Sequence, residues 1–263
     1  MEENKFGKLS RLQLRASLKD GRTILSDVAF TAPFKIMRPF YEKKDIMTVM
    51  LLTASAGIMA GDRQEFSFSV EEGAHMEFVS QAYEKIHKMT SGHAERNVSI
   101  AIAKNASMRY TPLPTIPFGQ SDYRSRTEIY LEDASSQLVM TEILTAGRIA
   151  HGEAFAYRLF SNHIRVRQGE KLIYYDNTIY DPSRTEMTDY GMYEGFTHLG
   201  TMLLFNMPKS ENWISQARQV IDDTADTEGG ITRTADGHIV IRILGRSGDQ
   251  LTRLFEALEK LPV

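Results

Sequence analysis

The sequence contains no cysteine. This excludes disulfide bonds and every metal or redox site that depends on a thiolate. The sequence also lacks an apolar run of about 18 residues, the length that suggests a membrane-spanning helix. The N-terminal segment MEENKFGKL is polar and predicts no signal peptide. We therefore expect a cytoplasmic protein that has no membrane partner.

Charge of one sign is not concentrated anywhere in the chain. The formal net charge is −3, and acidic and basic residues are interspersed along the sequence. A protein that binds nucleic acid would show a clustered basic patch. The charge pattern therefore predicts no nucleic-acid partner.

Common catalytic and nucleotide-binding motifs are missing as well. The sequence has no phosphate loop, no dinucleotide fingerprint, no kinase signature and no Gly-x-Ser-x-Gly elbow. Its seven histidines form no His-x-His or His-x3-His pair, so no local zinc or nickel chelate is predicted. A metal site shared by His87 and His93 is a less favoured alternative to two hydrogen-bonded histidines.

Short strand patterns are what the chain does contain. Apolar and polar residues alternate in Phe66–Val70, Val98–Ile102 and Ile164–Val166, for example, and turn residues separate such segments. Hairpins are expected at Asp20-Gly21 and Gln168-Gly169, and the strands on either side of Glu132-Asp133-Ala134 are expected to pair. The pattern predicts a mainly β protein, either a sandwich, a barrel or a coil of strands. No repeat of fixed period establishes a regular solenoid.

The last third of the chain changes character. Helical spacing predicts a helix over residues 212–223 and a second helix that ends near Leu261, with a strand over Ile239–Ile243 between them. Ser247 and Gln250 are spaced as a capping box. A core role is favoured for the second helix over the docking of a helical partner. We predict one domain over residues 1–263, with a β body at 1–196 and an α/β layer at 197–263.

The most specific local signal is the segment 50–66, MLLTASAGIMAGDRQEF. Gly57 and Gly61 allow the backbone to turn or to approach another segment closely, because glycine accepts a positive φ without steric cost. Asp62 then lies on a tight loop at the start of a strand, where packing seldom needs a carboxylate. The segment predicts a turn that presents one acid.

Two further acids stand out beside Asp62. Glu142 interrupts the apolar run Leu138–Leu144, and Asp176 follows the strand Leu172–Tyr175. The plainer interpretation makes these acids exposed strand residues or turn caps, because a buried carboxylate must be paired or hydrated. The alternative is a hydrated cavity inside the β body that attracts a divalent cation. A glycan hydrolase or lyase that uses Asp62 and Glu142 as a carboxylate pair is a further hypothesis.

Five motifs in order resemble the urease accessory protein UreD/UreH family, including its Helicobacter-type branch, and the likeness extends from about residue 10 to residue 200. They are Arg38-Pro39-Phe40-Tyr41, the Gly57–Asp62 loop, Ala82–His87 with Lys85 and His87, Pro112–Phe118, and Gly147–Phe155 with Gly147, Arg148 and Glu153. Ala60 stands where many members carry a glycine, so the loop is expected to be less rigid while its Asp is retained.

The resemblance implies a helix-like stack of strands with a small α/β C-terminal part that carries two helices. It implies a non-enzymatic chaperone that links apo-urease to UreF and, through UreF, to the GTPase UreG, with a dimer of the complex as a further expectation. Nickel would cross an internal, water-filled passage in transit, and no cofactor would be held tightly. Asp62, Glu84, Glu142 and Asp176 are the expected residues of that passage. A docking module in which these acids have no role in metal transfer is the remaining hypothesis.

Overall fold

The computed structural model of the protein describes residues 9–42, 45–207 and 209–262, and this part of the chain is mainly β. Its β-strands and α-helices follow in chain order. They are β1 (Leu9–Lys19), β2 (Arg22–Phe30), β3 (Phe34–Ile36), β4 (Met47–Thr53), β5 (Arg63–Val70), β6 (His75–Ser80), β7 (Glu84–Ile86), β8 (Ala94–Ile102), β9 (Ser107–Tyr110), β10 (Thr115–Pro117), β11 (Asp122–Leu131), β12 (Gln137–Thr145), β13 (Leu159–Gln168), β14 (Lys171–Tyr180), β15 (His198–Phe205), α1 (Glu211–Asp222), β16 (Thr227–Arg233), β17 (Ile239–Gly245) and α2 (Gly248–Lys260).

The strands form two sheets. Sheet A has the order β14-β13-β11-β8-β5-β1-β2, and sheet B has the order β16-β17-β15-β12-β9-β6-β4-β3, with β10 and β7 attached beside β12. From β5 to β13 the chain crosses back and forth between the sheets. Each strand then pairs in parallel with the strand one coil earlier, as β8 does with β5 and β9 with β6. The predicted stack of strands with a small helical C-terminal part is confirmed.

The strand pairings predicted around turns are confirmed in two places and wrong in a third. The hairpins at Asp20-Gly21 and Gln168-Gly169 are present as the antiparallel pairs β1–β2 and β13–β14. The pairing expected across Glu132-Asp133-Ala134 is wrong, because β11 belongs to sheet A and β12 to sheet B. The turn between them carries the chain from one sheet to the other. Residues 82–93 form the short strand β7 and a loop, which decides between the two structures considered for them.

An apolar core fills the space between the sheets. The alternation in β5 turns Phe66, Phe68 and Val70 inward, where they are buried. Phe68 meets Phe78 of β6 edge to face, with ring centroids 4.8 Å apart. Burial of these side chains holds the two sheets together.

The two helices cover the outer face of sheet B. Trp213 and Ile214 of α1 and Leu251 and Phe255 of α2 are buried against it, so the core role favoured for the second helix is correct. Ser247 accepts a hydrogen bond from the Gln250 backbone at 3.4 Å, but the Gln250 side chain donates to the carbonyl of Ala225 instead of returning to Ser247. The capping box is therefore only half formed. Within the described residues, neither helix is long and apolar enough to cross a bilayer.

The boundary expected between residues 196 and 197 falls just before β15. This strand pairs antiparallel with β12 along its whole length, and β17 and β16 continue the sheet beyond it. The C-terminal strands thus extend sheet B of the body.

Candidate functional site

A cavity of about 100 Å³ lies between the two sheets, beside the apolar core. We call it the central cavity. Hydroxyl side chains contribute to its polar lining, and the charged and amide side chains of that lining are Glu84, Arg96, Glu142, Asn162, Asp176 and Arg242. The space is large enough for several water molecules, and its polar walls can hydrogen-bond to them.

The strand register explains why this part of the interior is polar. One inward-facing row crosses sheet A at the same level of its neighbouring strands: Gln64, Arg96, Ser125, Asn162 and Thr178. A matching row in sheet B consists of Glu142, Thr201 and Arg242. Farther along each coil strand the inward residues become apolar. The same strands therefore build the core at one end and the central cavity at the other.

Glu84 is tied to Arg96 at one side of the cavity. Arg96 Nη2 donates to Glu84 Oε2 at 2.5 Å, and Arg96 Nε donates to Gln64 Oε1 at 2.8 Å. Both charged side chains are largely buried: Arg96 is 12% exposed and Glu84 is 17% exposed. The guanidinium also lies over the ring of Phe66, 4.7 Å from its centroid. This pair is rigidly held, and the cation neutralises the acid.

Asp176 is paired at the opposite side. Its carboxylate accepts hydrogen bonds from Tyr174 Oη at 3.1 Å and from Thr178 Oγ1 at 2.8 Å. Arg242 Nη2 donates to the same carboxylate and forms an ion pair with it. Asp176, like Glu84, is therefore neutralised by an arginine.

Glu142 is the exception among the three carboxylates. Within the described residues it has no cationic partner, and Asn162 Nδ2 donates to its Oε2 at 2.7 Å. Burial raises the pKa of Glu142 to about 7; the charge of Asp176 adds to this rise, and the bond from Asn162 opposes it. Glu142 thus changes charge near neutral pH. It is the cavity acid that is open to interaction with a cation.

Asp62 does not line the central cavity. Its Oδ2 accepts a hydrogen bond from the backbone N–H of Met59 at 2.8 Å, which closes the loop before β5. The structure therefore brings Glu84, Glu142 and Asp176 together and leaves Asp62 in a loop-capping position. The proposed carboxylate pair of Asp62 and Glu142 does not meet in this cavity.

The two loop glycines fix the path of this segment. Gly57 has a φ of +143°, and a Cβ there would lie 2.3 Å from the carbonyl oxygen of Lys85. Gly61 has a φ of +83°, and its N–H donates to the carbonyl of His93. The close approach at Gly57 places Ile58 in an isolated β-bridge with Ile86 of β7.

The remaining motif residues lie outside the central cavity. Tyr41 donates from Oη to the carbonyl of Thr23 at 2.6 Å, while Arg38 and Lys85 are exposed. His87 Nε2 lies 2.9 Å from the Ala56 carbonyl oxygen, whereas His93 Nε2 lies 2.6 Å from Glu95 Oε1. No group of three His, Asp or Glu side chains in the described chain is arranged to hold a metal ion.

The Gly147–Phe155 motif forms a closed loop. Arg148 Nε donates to Glu153 Oε2 at 2.5 Å, and the guanidinium covers the ring of Phe118 at 4.4 Å. The hydrogen bond from Arg148 lowers the pKa of Glu153. Gly147 has a φ of +143°, and a Cβ there would lie 2.6 Å from the carbonyl oxygen of Glu153. These contacts give the motif a structural role in this chain.

Sequence reasoning missed Arg96, Asn162 and Arg242. A signal was present for Arg96 and Asn162, because each lies two residues before an inward-facing residue of a recognised alternation, Val98 and Ile164. Extending the alternation by one step places both polar side chains on the inner face. Arg242 had no such signal, because the alternation recognised in its strand, Ile239, Ile241 and Ile243, faces the helices on the other side of sheet B. Their pairing with particular acids has no such signal.

The family of the chain follows from comparison with known proteins. The model of the family described as UreD urease accessory protein matches residues 8–261. The chain belongs to this family. The match includes both sheets and both helices, so the resemblance carried by the five motifs is confirmed over nearly the whole chain.

Individual members of the UreD family are similar to this chain over more than nine tenths of their length. The urease accessory protein UreD of Acetivibrio thermocellus is 38% identical over 260 residues, which cover 98% of this chain and 99% of the relative. The urease accessory protein UreH of Helicobacter pylori strain J99 is 36% identical over 259 residues, covering 98% and 96%. UreD of Flavobacterium johnsoniae is 28% identical over 255 residues, covering 96% and 91%.

Proposed function

We propose that this protein is a urease accessory scaffold through which nickel reaches the urease active site. The observation that carries the proposal is the central cavity, in which Glu142 lies without a cationic partner among the described residues. Membership of the UreD family supports the accessory role. In this proposal nickel is cargo, and the protein retains none of it.

The chemistry of the cavity suits an ion in transit. Carboxylate, amide and hydroxyl oxygens hold nickel more loosely than imidazole or thiolate ligands do. Arg96 and Arg242 form ion pairs with two of the three acids, so an entering cation meets one free carboxylate and water. Such a site lowers the electrostatic cost of entry without trapping the ion.

The proposed partners are apo-urease, UreF and, through UreF, UreG. This part of the proposal rests on the family resemblance, as do a dimer of the complex and a cytoplasmic location. The scaffold would bring the donor of nickel and the enzyme to one assembly, so the ion would not have to cross bulk solvent.

A matched pair of variants tests the cavity. Glu142→Gln removes the free carboxylate and keeps its shape, whereas Glu128→Gln removes an exposed acid of β11 that forms surface ion pairs. Urease is activated with each variant, and its nickel content and activity are measured. We expect less nickel in urease matured with Glu142→Gln and no change with Glu128→Gln.

Pull-down with UreF and apo-urease distinguishes an effect of a variant on nickel transit from an effect on assembly of the complex. We expect both variants to form the complex as the unaltered protein does. Equal nickel loading by both variants would favour a docking module in which the cavity acids have no part. Failure of the folded, unaltered protein to bind UreF and urease would refute the scaffold role itself.

A further inference from the structure

Asp176 and Arg242 border two separate spaces. Both line the central cavity, and both also line a surface groove between β14 of sheet A and strands β16 and β17 of sheet B. We call it the edge groove; Tyr174, Gly230, Thr232 and Val240 complete this part of its wall. The Asp176–Arg242 ion pair therefore stands where the interior and the surface meet.

The two members of the pair differ in their freedom. Asp176 is 13% exposed and remains bonded to Tyr174 and Thr178, whereas the Arg242 side chain is 52% exposed. A long arginine side chain that is half in solvent can turn into water and become hydrated there, while the hydrogen bonds from Tyr174 and Thr178 continue to stabilise the buried carboxylate of Asp176. Arg242 is thus the movable member, and Asp176 is the fixed one.

The second arginine of the cavity lacks this freedom. Arg96 is only 12% exposed and is held by Gln64 as well as Glu84. Separating Arg96 from Glu84 would leave both charges buried and unpaired, which is costly, whereas separating Arg242 from Asp176 returns one of the two charges to solvent. The contrast singles out the pair at the edge groove.

We propose that the Asp176–Arg242 ion pair is a gate between the edge groove and the central cavity. With Arg242 turned toward solvent, Asp176 is the first carboxylate that an entering cation meets. While the gate is closed, the guanidinium covers Asp176 and repels cations. The existence of the gate stands on the geometry alone, and only the identity of nickel as the ion rests on the proposed function.

The absence of cysteine permits a direct test with a single introduced thiol. Thr127 lines the central cavity and is 2% exposed, so Thr127→Cys places that thiol inside. Its rate of modification is measured with the cationic 2-aminoethyl and the anionic 2-carboxyethyl methanethiosulfonate. The same measurement is made with Arg242→Ala added and, as the control, with Arg246→Ala, which removes a comparably exposed arginine of another ion pair.

We expect Arg242→Ala to raise the rate with the cationic reagent about fivefold, the factor that corresponds to a strong surface ion pair. The rise with the anionic reagent should be smaller, and Arg246→Ala should change neither rate. Adding Asp176→Asn should remove the preference for the cation. Emission of Trp213 verifies folding, and Arg242→Gln replaces Arg242→Ala if the latter unfolds.

Equal rates in the Arg242→Ala and Arg246→Ala proteins would overturn the gate. An equal rise for both reagents would overturn the assignment of Asp176 as the first carboxylate. The assay contains neither nickel nor urease. A faster modification together with undiminished nickel loading by Glu142→Gln would therefore support the gate and refute nickel transit through the cavity.

Discussion

Asn162 on β13 donates a hydrogen bond through Nδ2 to Oε2 of Glu142 on β12, at 2.7 Å. β13 belongs to sheet A and β12 to sheet B, so this bond joins the two sheets inside the central cavity. The other amide atom, Asn162 Oδ1, is buried and has no hydrogen-bond partner among the residues that the structure describes. A buried acceptor of this kind gains from a donor such as water. The central cavity therefore offers a water molecule a binding position beside the free carboxylate.

The titration of Glu142 predicts how stability depends on pH. Burial raises its pKa from 4.5 in the unfolded chain to about 7 in the folded protein. The unfolded state thus loses the proton first, and the folded protein loses stability as pH rises from about 4.5 to about 7. Glu142→Gln, which resembles the protonated acid, should stabilise the protein by about 3 kcal/mol at about pH 8 and hardly at all at about pH 4.5.

Urea unfolding of both proteins across this range measures the effect. Glu128→Gln serves as the control, because that acid is exposed, and its effect should not follow the same curve. A stability difference between Glu142→Gln and the unaltered protein that does not change with pH would contradict a raised pKa at Glu142.

Arg96 provides a second prediction, for a buried ion pair. Arg96→Met leaves Glu84 and Gln64 without their donor inside the protein, so we expect a loss of roughly 3–5 kcal/mol in the free energy of unfolding. Arg11→Met breaks the exposed pair with Glu65 and should cost less than about 1 kcal/mol.

Chemical denaturation of both variants gives the two values. The double variant Arg96→Met with Glu84→Gln should recover part of the loss, because no uncompensated charge then remains. Equal costs at Arg96 and Arg11 would show that the buried pair does not stabilise the cavity wall.

Gly57 allows a prediction about the central loop. A Cβ at this position would lie 2.3 Å from the Lys85 carbonyl oxygen, and the φ of +143° is strained for any other residue. Gly57→Ala should therefore cost roughly 3 kcal/mol through strain and displacement of β7. Gly21→Ala is the matched control: its φ is +75° and nothing lies within 4 Å of the added methyl, so only about 1 kcal/mol is expected.

Thermal unfolding measures these costs, and amide exchange locates them. The Ile58 N–H donates to Lys85 and the His87 N–H donates to Ile58. Both amides should exchange faster in Gly57→Ala and keep their rates in Gly21→Ala. Unchanged exchange at both sites would mean that the loop accommodates the methyl group without leaving β7.

Trp213 reports whether the C-terminal layer unfolds with the body. It is the sole tryptophan of the chain and is fully buried on the side of α1 that packs against sheet B. Because β15 is bonded to β12 along its length, we expect the emission of Trp213 and the far-UV dichroism to change in one transition. Phe68→Ala removes a core ring that is far from α1 in sequence. It should lower the free energy of unfolding by about 3–5 kcal/mol, and both signals should report the same loss.

Different responses of Trp213 emission and far-UV dichroism to Phe68→Ala would show that the chain unfolds as two units. If the dichroism midpoint falls while the Trp213 midpoint stays in place, the α/β layer is an independent unit. Coincident midpoints would establish residues 1–263 as one cooperative domain.

The sequence by itself determined the local structure of this protein. Alternation of apolar and polar residues located strands such as β5, β8 and β13 but not β15 or β16, and turn residues located the β1–β2 and β13–β14 hairpins. Helical spacing placed the first helix at 212–223, and the structure has it at Glu211–Asp222. These features follow from neighbouring residues, whose side-chain direction repeats every two or 3.6 positions. The ordered motifs likewise determined the family.

Only the tertiary structure decided which strands are neighbours and which charges meet. Alternation tells which side chains point inward, but it does not tell that β11 and β12 lie in opposite sheets. Nor does it tell that Asp62 closes a loop while Glu142 enters the cavity. The physical reason is distance along the chain: Arg242 lies 66 positions from Asp176, and Asn162 lies 20 positions from Glu142. Their contacts exist only once the coils are stacked in register.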